Sequence, residues 1–310
     1  MCADDFCGSG RGGAVRTSWG SATDRGRVRE VNEDALLAYP PVFLVADGMG
    51  GHDAGDLASR IAVEEFAQLA GQPAATSDDV HACFSRTSTR IRSEFTRGRQ
   101  GGTTVAGVAV TEHDGGWYWL VFNVGDSRVY RWSEGTLTQV SVDHSVVQEL
   151  IESGELTAVA ARRHPERHVL TRALGTGEPP EPDYWLLPAG AEDRLLICTD
   201  GLTRELTDDE VAQVLALVHD PQEAAARLVQ DALERGGRDN VSAVVVDVAS
   251  ATVPEQTHTT APRSAPDLGP HLWDEMLNGA TLPRSAAAPA GTSTPFPPAA
   301  APDDAQEDPA

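Results

Sequence analysis

The spacing of hydrophobic and polar residues along the chain predicts a mixture of helices and strands. Apolar residues recur with helical periodicity in five segments: 54–70, 77–95, 143–153, 208–218 and 221–235. Short apolar or alternating runs predict strands at 42–46, 103–111, 117–124, 127–132, 137–140, 194–199 and 241–248. The last two helices also carry start signals, because Thr207 with Glu210 can form a capping box and Pro221 follows Asp220.

Four of the predicted strands follow one another between residues 103 and 140. The turns that join them are too short to contain a helix, which a connection between parallel neighbours requires. The pattern therefore predicts antiparallel sheet with the helices placed elsewhere along the chain. This is the organisation of an α+β protein and excludes a purely parallel βαβ architecture.

The composition changes near residue 250, where Pro, Ala, Thr and Ser replace most of the large apolar residues. Such a segment cannot bury enough surface to offset the entropy lost on folding. We therefore predict a disordered, acidic, Pro/Ala-rich tail at 250–310 and a flexible N-terminus at 1–14. The remainder, 15–249, is predicted to be one domain, large enough for a full hydrophobic core.

The charge of the chain excludes several classes of function. The formal net charge of −23 argues against nucleic acid or an anionic membrane as the main partner. All 24 basic residues are Arg, so neither a lysine Schiff base nor a P-loop lysine is available. No signal peptide or membrane helix is predicted, and the four cysteines form no CxxC pair. We expect a cytosolic, monomeric protein with reduced thiols.

Aspartates stand at the ends of the most apolar strands. Asp47, Asp126 and Asp200 each follow such a strand, and Asp239 precedes another. Carboxylates that meet at one edge of a sheet repel each other unless they are protonated or bind a cation, for which Mg²⁺ or Mn²⁺ is suited. A single Asp-Gly pair at a strand end is more often a turn. The prediction of a metal site therefore depends on the combination with the acidic segment 23–35.

Eight short motifs in a defined order identify a family. They are D-x-G-x-x-R-x-x-N-E-D (24–34), VADGMGGH (45–52), GGTT (101–104), VGDSRVY (124–130), DHS (143–145), R-x-L-G (172–175), TDGL (199–202) and GGRDNVS (236–242). This series resembles the metal-dependent PPM family of protein serine/threonine phosphatases, also called protein phosphatase 2C, in its compact bacterial form. The resemblance extends over about 15–249, and eight motifs in one order are far more specific than any of them alone.

The resemblance implies a four-layer αββα sandwich in which two antiparallel sheets are flanked by antiparallel helices. It also implies Mn²⁺ or Mg²⁺ as cofactor, with two core ions and a third, weaker one. The metal-binding residues that it implies are Asp47, Gly48, Asp200, Asp239, Asp126, Glu33 and Asp34.

These implied ligands differ in role. Asp47 would bridge the two core ions and the carbonyl of Gly48 would bind one of them, where glycine permits a tight bend. Asp200 and Asp239 would complete the other core site, and Asp126 with Asp200 would hold the third ion. The adjacent acids at 33 and 34 would act mostly through water, since such sites stay partly hydrated.

The implied reaction is hydrolysis of phosphoserine and phosphothreonine in proteins by a water that bridges the two ions. Arg29 would hold the phosphoryl oxygens with its planar fork, and His52 would donate a proton to the departing oxygen. The residues alone leave simpler interpretations open. Arg29 could form a surface salt bridge to Glu30 or Glu33, and His52 could be a neighbour of a helix start without chemistry.

The implied partners are phosphoprotein substrates and the Ser/Thr kinases that this activity would oppose. The alternative is a regulatory or phosphopeptide-binding adaptor with little activity, which would normally show a broken ligand set. The flap beside the active site would be 145–170, with His144 as a structural residue. In the tail, 267–282 is either a docking segment or a few stray apolar residues.

Three residues depart from the commoner family pattern. They are Ser141, Thr199 and Ser242. Because each replaces a similar side chain, we expect none of them to contact a proposed metal ligand.

Overall fold

Two antiparallel sheets are stacked face to face in the computed structural model, which describes residues 15–50, 54–95, 100–177 and 181–250. The strands are Arg16–Asp24 (β1), Asp34–Tyr39 (β2), Val42–Gly50 (β3), Gly101–Thr103 (β4), Val105–His113 (β5), Gly116–Val124 (β6), Arg128–Ser133 (β7), Thr136–Gln139 (β8), Asp183–Pro188 (β9), Arg194–Cys198 (β10) and Val241–Ser250 (β11). One sheet has the order β1-β11-β10-β7-β8. The other has the order β2-β3-β5-β6-β9, with β4 pairing to β3.

The helices lie outside the two sheets. They are Ala54–Phe66 (α1), Ser77–Glu94 (α2), Val146–Glu152 (α3), Ala158–Ala161 (α4), Asp200–Thr203 (α5), Asp208–Leu217 (α6) and Pro221–Arg235 (α7), and a 3₁₀ turn at Ala67–Leu69 follows α1. None of these helices is both long and apolar enough to traverse a bilayer. The expected segments 1–14 and 267–282, and also His52, lie outside the described residues.

Alternation along the strands produces three hydrophobic layers. In β3, Val42 and Leu44 face the layer that packs against α1 and α2, whereas Phe43 and Val45 face the other sheet. The same alternation in β10 and β11 gives one face to the space between the sheets and the other to α6 and α7. The layers are therefore helices, sheet, sheet and helices, and the predicted αββα sandwich is confirmed.

The structure confirms the predicted starts of α6 and α7, where side chains cap the helix backbone. Thr207 and Glu210 form the capping box of α6, and Asp220 caps α7 with Pro221 in its first turn. The predicted helix 143–153 starts later than expected, at Val146. Its start is fixed by Ser145, whose hydroxyl accepts a hydrogen bond from the backbone N–H of Gln148.

The four consecutive strands predicted between 103 and 140 belong to both sheets. β5 and β6 form a hairpin in one sheet, and β7 and β8 form a hairpin in the other. The chain crosses between the sheets at 125–127. The sequence pattern did not predict strands β1, β2, β4 and β9. β1 is rich in small polar residues and β4 has three residues, whereas β2 and β9 are six-residue strands with apolar centres. β1 nevertheless pairs with β11 along its whole length.

A charged cluster joins α1 to α2. Glu65 is buried and accepts hydrogen bonds from Arg86 Nε at 2.9 Å and Arg90 Nη1 at 3.2 Å. Burial by itself would raise the pKa of the Glu65 carboxyl, but the hydrogen bonds and charges of the two arginines outweigh burial and lower it. The neighbouring Glu64 contacts only Arg90 among these arginines and is 57% exposed.

We predict that Glu65→Gln lowers the free energy of unfolding by about 2 kcal/mol at pH 7, because a buried charge-assisted network is lost. Glu64→Gln is the matched control and should cost at most about 0.5 kcal/mol. Since the folded pKa of Glu65 is depressed, its contribution is present above the unfolded value of about 4.3 and is lost as the pH falls through the folded value. Urea denaturation between pH 3 and 7 measures both effects, and equal losses for the two variants would contradict the prediction.

Candidate active site

Six of the predicted site residues surround one cleft at the end of the sandwich. Five different regions of the chain supply them: the segment before β2, strand β3, the crossing between the sheets, the segment after β10, and the segment before β11. They are Arg29, Asp47, Gly48, Asp126, Asp200 and Asp239. Asp34 and Glu33 stand behind this surface, while the position of His52 belongs to the part of the chain not described.

Asp34 connects the two sheets beneath the cleft. It lies opposite Asp47 in the pairing of β2 with β3. Its Oδ2 accepts hydrogen bonds from Thr199 Oγ1 at 2.9 Å and from Ser242 Oγ at 2.7 Å, both on the other sheet. The expectation that Thr199 and Ser242 contact no proposed ligand was therefore wrong. Thr199 and Ser242 are similar in type to the commoner residues, but their hydroxyls are the hydrogen-bond donors that Asp34 requires.

The environment of the carboxylates disfavours their negative charge. Burial raises the pKa of Asp34 to about 7, because its two hydroxyl donors offset burial only in part. Burial and then repulsion from neighbouring carboxylates raise the pKa of Asp47 and of Asp200 well above the usual range. The pKa of Asp126 is also raised, by burial and then by the charge of Asp143. A bound cation would offset both the burial of the charged carboxylates and the repulsion between them.

Two buried oxygens of this group accept no hydrogen bond from any residue that the structure describes. They are Asp34 Oδ1 and Asp200 Oδ1. Carboxylate oxygens are the ligands that Mg²⁺ and Mn²⁺ prefer, and an unpaired buried oxygen is costly. The donor set of the cleft therefore fits a divalent cation.

Glycine serves close backbone packing at this site. Strand β3 continues through Asp47 and Gly48, so the chain does not bend there as expected. A Cβ at Gly48 would collide with the carbonyl oxygens of Glu33 and Gly55, and the Gly48 N–H donates to Glu33 O at 3.1 Å. A Cβ at Gly201 would likewise collide with the carbonyl of Asn240. The glycines are required because backbones approach closely, not because of a turn.

Asn240 attaches the acidic segment to β11, a role that sequence reasoning missed. Its Nδ2 donates to the carbonyls of Arg25 and Val31, each at 2.9 Å. Its Oδ1 accepts from the backbone N–H of Glu33, also at 2.9 Å. The only sequence signal is its place in GGRDNVS beside Asp239. These bonds hold the segment that carries Arg29 and Glu33 against the opposite sheet.

Two arginines lie among the carboxylates. Arg29 forms a forked pair with Asp239, with Nη2 at 2.9 Å and Nε at 2.8 Å from its oxygens. The acid that pairs with Arg29 is therefore Asp239 in the cleft, and not Glu30 or Glu33 as in the simpler interpretation. Arg204, which the sequence did not indicate, donates to Asp239 Oδ2 at 2.6 Å and also contacts Asp200.

No three acidic, His or Cys side chains of the described residues lie close enough together to form a complete metal-ligand group.

The other candidate residues lie around this arrangement. The Glu33 carboxyl lies next to Gly55 at the start of α1, and burial raises its pKa more than the charge of Arg29 lowers it. His144 is buried, accepts from the N–H of Gly125 at 3.1 Å, and pairs with Asp183 through its other nitrogen at 3.1 Å. As expected, its role is structural. His168 lines the cleft from the flap.

Known proteins share this fold and much of this sequence. The family model of protein phosphatase 2C matches residues 24–236. The serine/threonine phosphatase Stp of Listeria monocytogenes serotype 4b is 33% identical over 240 residues, which cover 73% of this chain and 93% of the relative. The chain therefore belongs to the protein phosphatase 2C family, and its class is that of the protein serine/threonine phosphatases.

Solved structures agree with this assignment. The PPM Ser-Thr phosphatase MsPP from Mycobacterium smegmatis, in complex with cacodylate, superposes with a TM-score of 0.69 and 40% identity over 76% of this chain and 100% of that one. The catalytic domain of the phosphatase PstP, in complex with two manganese ions, has a TM-score of 0.69 and 32% identity over 76% and 99%. These similarities support the sandwich fold.

We predict that Thr199→Val lowers the free energy of unfolding of the metal-stripped protein by about 1–3 kcal/mol, because the buried Asp34 carboxyl loses a donor and the backbone N–H of Ser242 loses an acceptor. Thr203→Val is the matched control. Within the described ranges the hydroxyl of Thr203 donates to the carbonyl of Asp200 in its own short helix, so its loss should cost about 0.5 kcal/mol or less. Urea denaturation in the presence of EDTA compares the two, and a smaller loss for Thr199→Val than for Thr203→Val would refute this role.

Proposed function

We propose that this chain hydrolyses phosphoserine and phosphothreonine in proteins with Mn²⁺ or Mg²⁺ as cofactor. The observation that carries the proposal is the convergence of Asp47, Asp200, Asp239 and Arg29 on one cleft from four separate parts of the sequence. Membership of the protein phosphatase 2C family supports the reaction. The two manganese ions of the PstP catalytic domain support the cofactor.

The ligand roles follow the placement of the oxygens. Asp47, Gly48, Asp200 and Asp239 line the cleft, and their carboxylates together with the carbonyl of Gly48 would hold the two core ions. Asp126, which shares the cleft with Asp200, would hold a third. Glu33 and Asp34 stand further back and would act through water. When bound, the ions supply Lewis-acid stabilisation of the phosphoryl group and a water acidic enough to attack at neutral pH.

Arg29 would bind and orient the phosphoryl group. Its side chain is 49% exposed and lies at the cleft, so an anion can approach it from solvent. Its planar fork already matches a carboxylate in the pair with Asp239, and it would match two phosphoryl oxygens in the same manner. His52 remains our proposal for the proton donor to the departing serine or threonine oxygen.

An adaptor function with little activity is the less favoured candidate. The predicted ligand residues of the core are all present, and Asp47, Asp200 and Asp239 line one cleft. No contact in the described ranges favours a purely binding role. Opposition to Ser/Thr kinases, a monomeric state, and docking through 267–282 remain predictions.

We expect the full chain to release phosphate from a phosphothreonine peptide with Mn²⁺ and to lose this activity in EDTA. Asp47→Asn and Asp239→Asn should each lower the rate at least about 100-fold, because each removes a ligand charge. Asp231→Asn, on the exposed face of α7 and paired with Arg227, is the matched control and should retain activity. Phosphate release that persists in EDTA or in both site variants would overturn the proposal, as would a folded chain with no activity under any divalent ion.

We also predict that Arg29→Lys lowers kcat/KM by about tenfold, mainly through KM, since a lysine cannot reproduce the forked contact. Arg25→Lys is the matched control in the same segment. Arg25 donates to the carbonyl of Glu30 at 3.3 Å and does not line the cleft. Steady-state kinetics on one phosphopeptide measures both, and an unchanged KM for Arg29→Lys would show that Arg29 does not bind the phosphoryl group.

A further inference from the structure

Arg204 connects two of the proposed metal ligands. It follows α5 directly, four residues after Asp200, and its backbone N–H donates to the Asp200 carbonyl at 2.8 Å. One guanidinium nitrogen contacts Asp200 Oδ2, and the other donates to Asp239 Oδ2 at 2.6 Å. The same side chain therefore contacts two carboxylates at one end of the sheet, where one follows β10 and the other precedes its antiparallel neighbour β11.

The contact differs from that of the other cleft arginine. Among the described residues the acid paired with Arg29 is Asp239, and the Arg29 side chain is 49% exposed, whereas the Arg204 side chain is 32% exposed. Asp200 and Asp239 have side-chain exposures of only 10% and 16%. Arg204 is thus held against both carboxylates at a place where solvent screens little of the interaction.

A divalent cation needs the same lone pairs. A carboxylate oxygen that binds a guanidinium N–H directs its electron density away from an ion, and the ion would meet a like charge within hydrogen-bond distance. Asp200 Oδ1, which has no partner, and Asp200 Oδ2, which contacts Arg204, belong to one carboxylate. An ion that binds Asp200 Oδ2 or Asp239 Oδ2 therefore displaces Arg204 from that oxygen, and an ion on Asp200 Oδ1 lies close to the guanidinium charge.

We infer that Arg204 is a built-in competitor of the metal ion, and that it sets the affinity of the Asp200–Asp239 pair for divalent cations. In the metal-free protein it acts as the counter-cation that keeps the acidic cleft folded. When an ion binds, the guanidinium leaves these carboxylates for the cleft. The inference rests on the metal site of the proposed function and adds a residue that tunes it.

The role of Arg204 links the affinity for metal to the stability of the metal-free protein. If Arg204 stabilises the metal-free state and not the metal-bound state, its removal must destabilise the first by the same free energy with which it strengthens ion binding. We expect Arg204→Gln to tighten Mn²⁺ binding about tenfold, which corresponds to about 1.4 kcal/mol. The metal-stripped variant should be destabilised by the same amount, and saturating Mn²⁺ should abolish the difference from wild type.

The test uses isothermal titration of the full, EDTA-stripped chain with MnCl₂, together with urea denaturation with and without Mn²⁺. Arg238→Gln is the matched control. Arg238 adjoins Asp239, but the acid paired with it is Glu205 at 3.8 Å, so its removal changes the local charge without freeing a ligand. Arg204→Lys keeps the charge on a single donor group and should give an affinity between those of wild type and Arg204→Gln.

The outcomes separate this inference from the proposed function. Unchanged or weaker Mn²⁺ binding by Arg204→Gln, with wild type binding normally, would overturn the inference alone. It would leave Arg204 as a residue that orients the carboxylates. Equal tightening in Arg238→Gln would reduce the effect to general charge and would also overturn it. A wild-type chain that binds no Mn²⁺ would remove the metal site and, with it, the proposed function.

Discussion

The mutual repulsion of buried carboxylates is the constraint on which the arrangement of this site depends. Asp34 and Asp47 are paired across neighbouring strands, and Asp200 and Asp239 approach them from the other sheet. Without compensation this grouping would oppose folding, because burial and like charge both penalise ionisation. The structure compensates with hydroxyl donors below the cleft and guanidinium groups within it.

The sandwich architecture makes this compensation possible. Each sheet alone presents only part of the acidic set, and the two parts meet because the strand ends of both sheets lie at one end of the stack. The Asp34 carboxyl receives its hydrogen bonds from Thr199 and Ser242 on the opposite sheet, so the site also connects the two sheets. Asn240 adds a second connection by holding the acidic segment. The polar groups that prepare the site therefore also stabilise this end of the fold.

Close backbone approach explains the glycines that surround the acids. Gly48 and Gly201 lie in a strand and in a short helix, where any residue could adopt the backbone angles, yet a side chain at either position would collide with a neighbouring carbonyl. The dipeptide Asp-Gly in these motifs therefore combines a charged side chain with a backbone that must pack against another segment. This relation makes the motif specific even though an isolated Asp-Gly pair is not.

Much of this protein was determined by the sequence itself, because hydrophobic periodicity and capping are local properties. They predicted the long helices, the central strands, the α+β class and the capping of α6 and α7. The order of the motifs indicated the family and the identity of the acids. Only the tertiary structure decided that β6 and β7 join different sheets, that β1 pairs along β11, and that Arg204 lies between Asp200 and Asp239. The physical reason is distance along the chain: Thr199 and Asp34, 165 residues apart, share a hydrogen bond that no local pattern encodes.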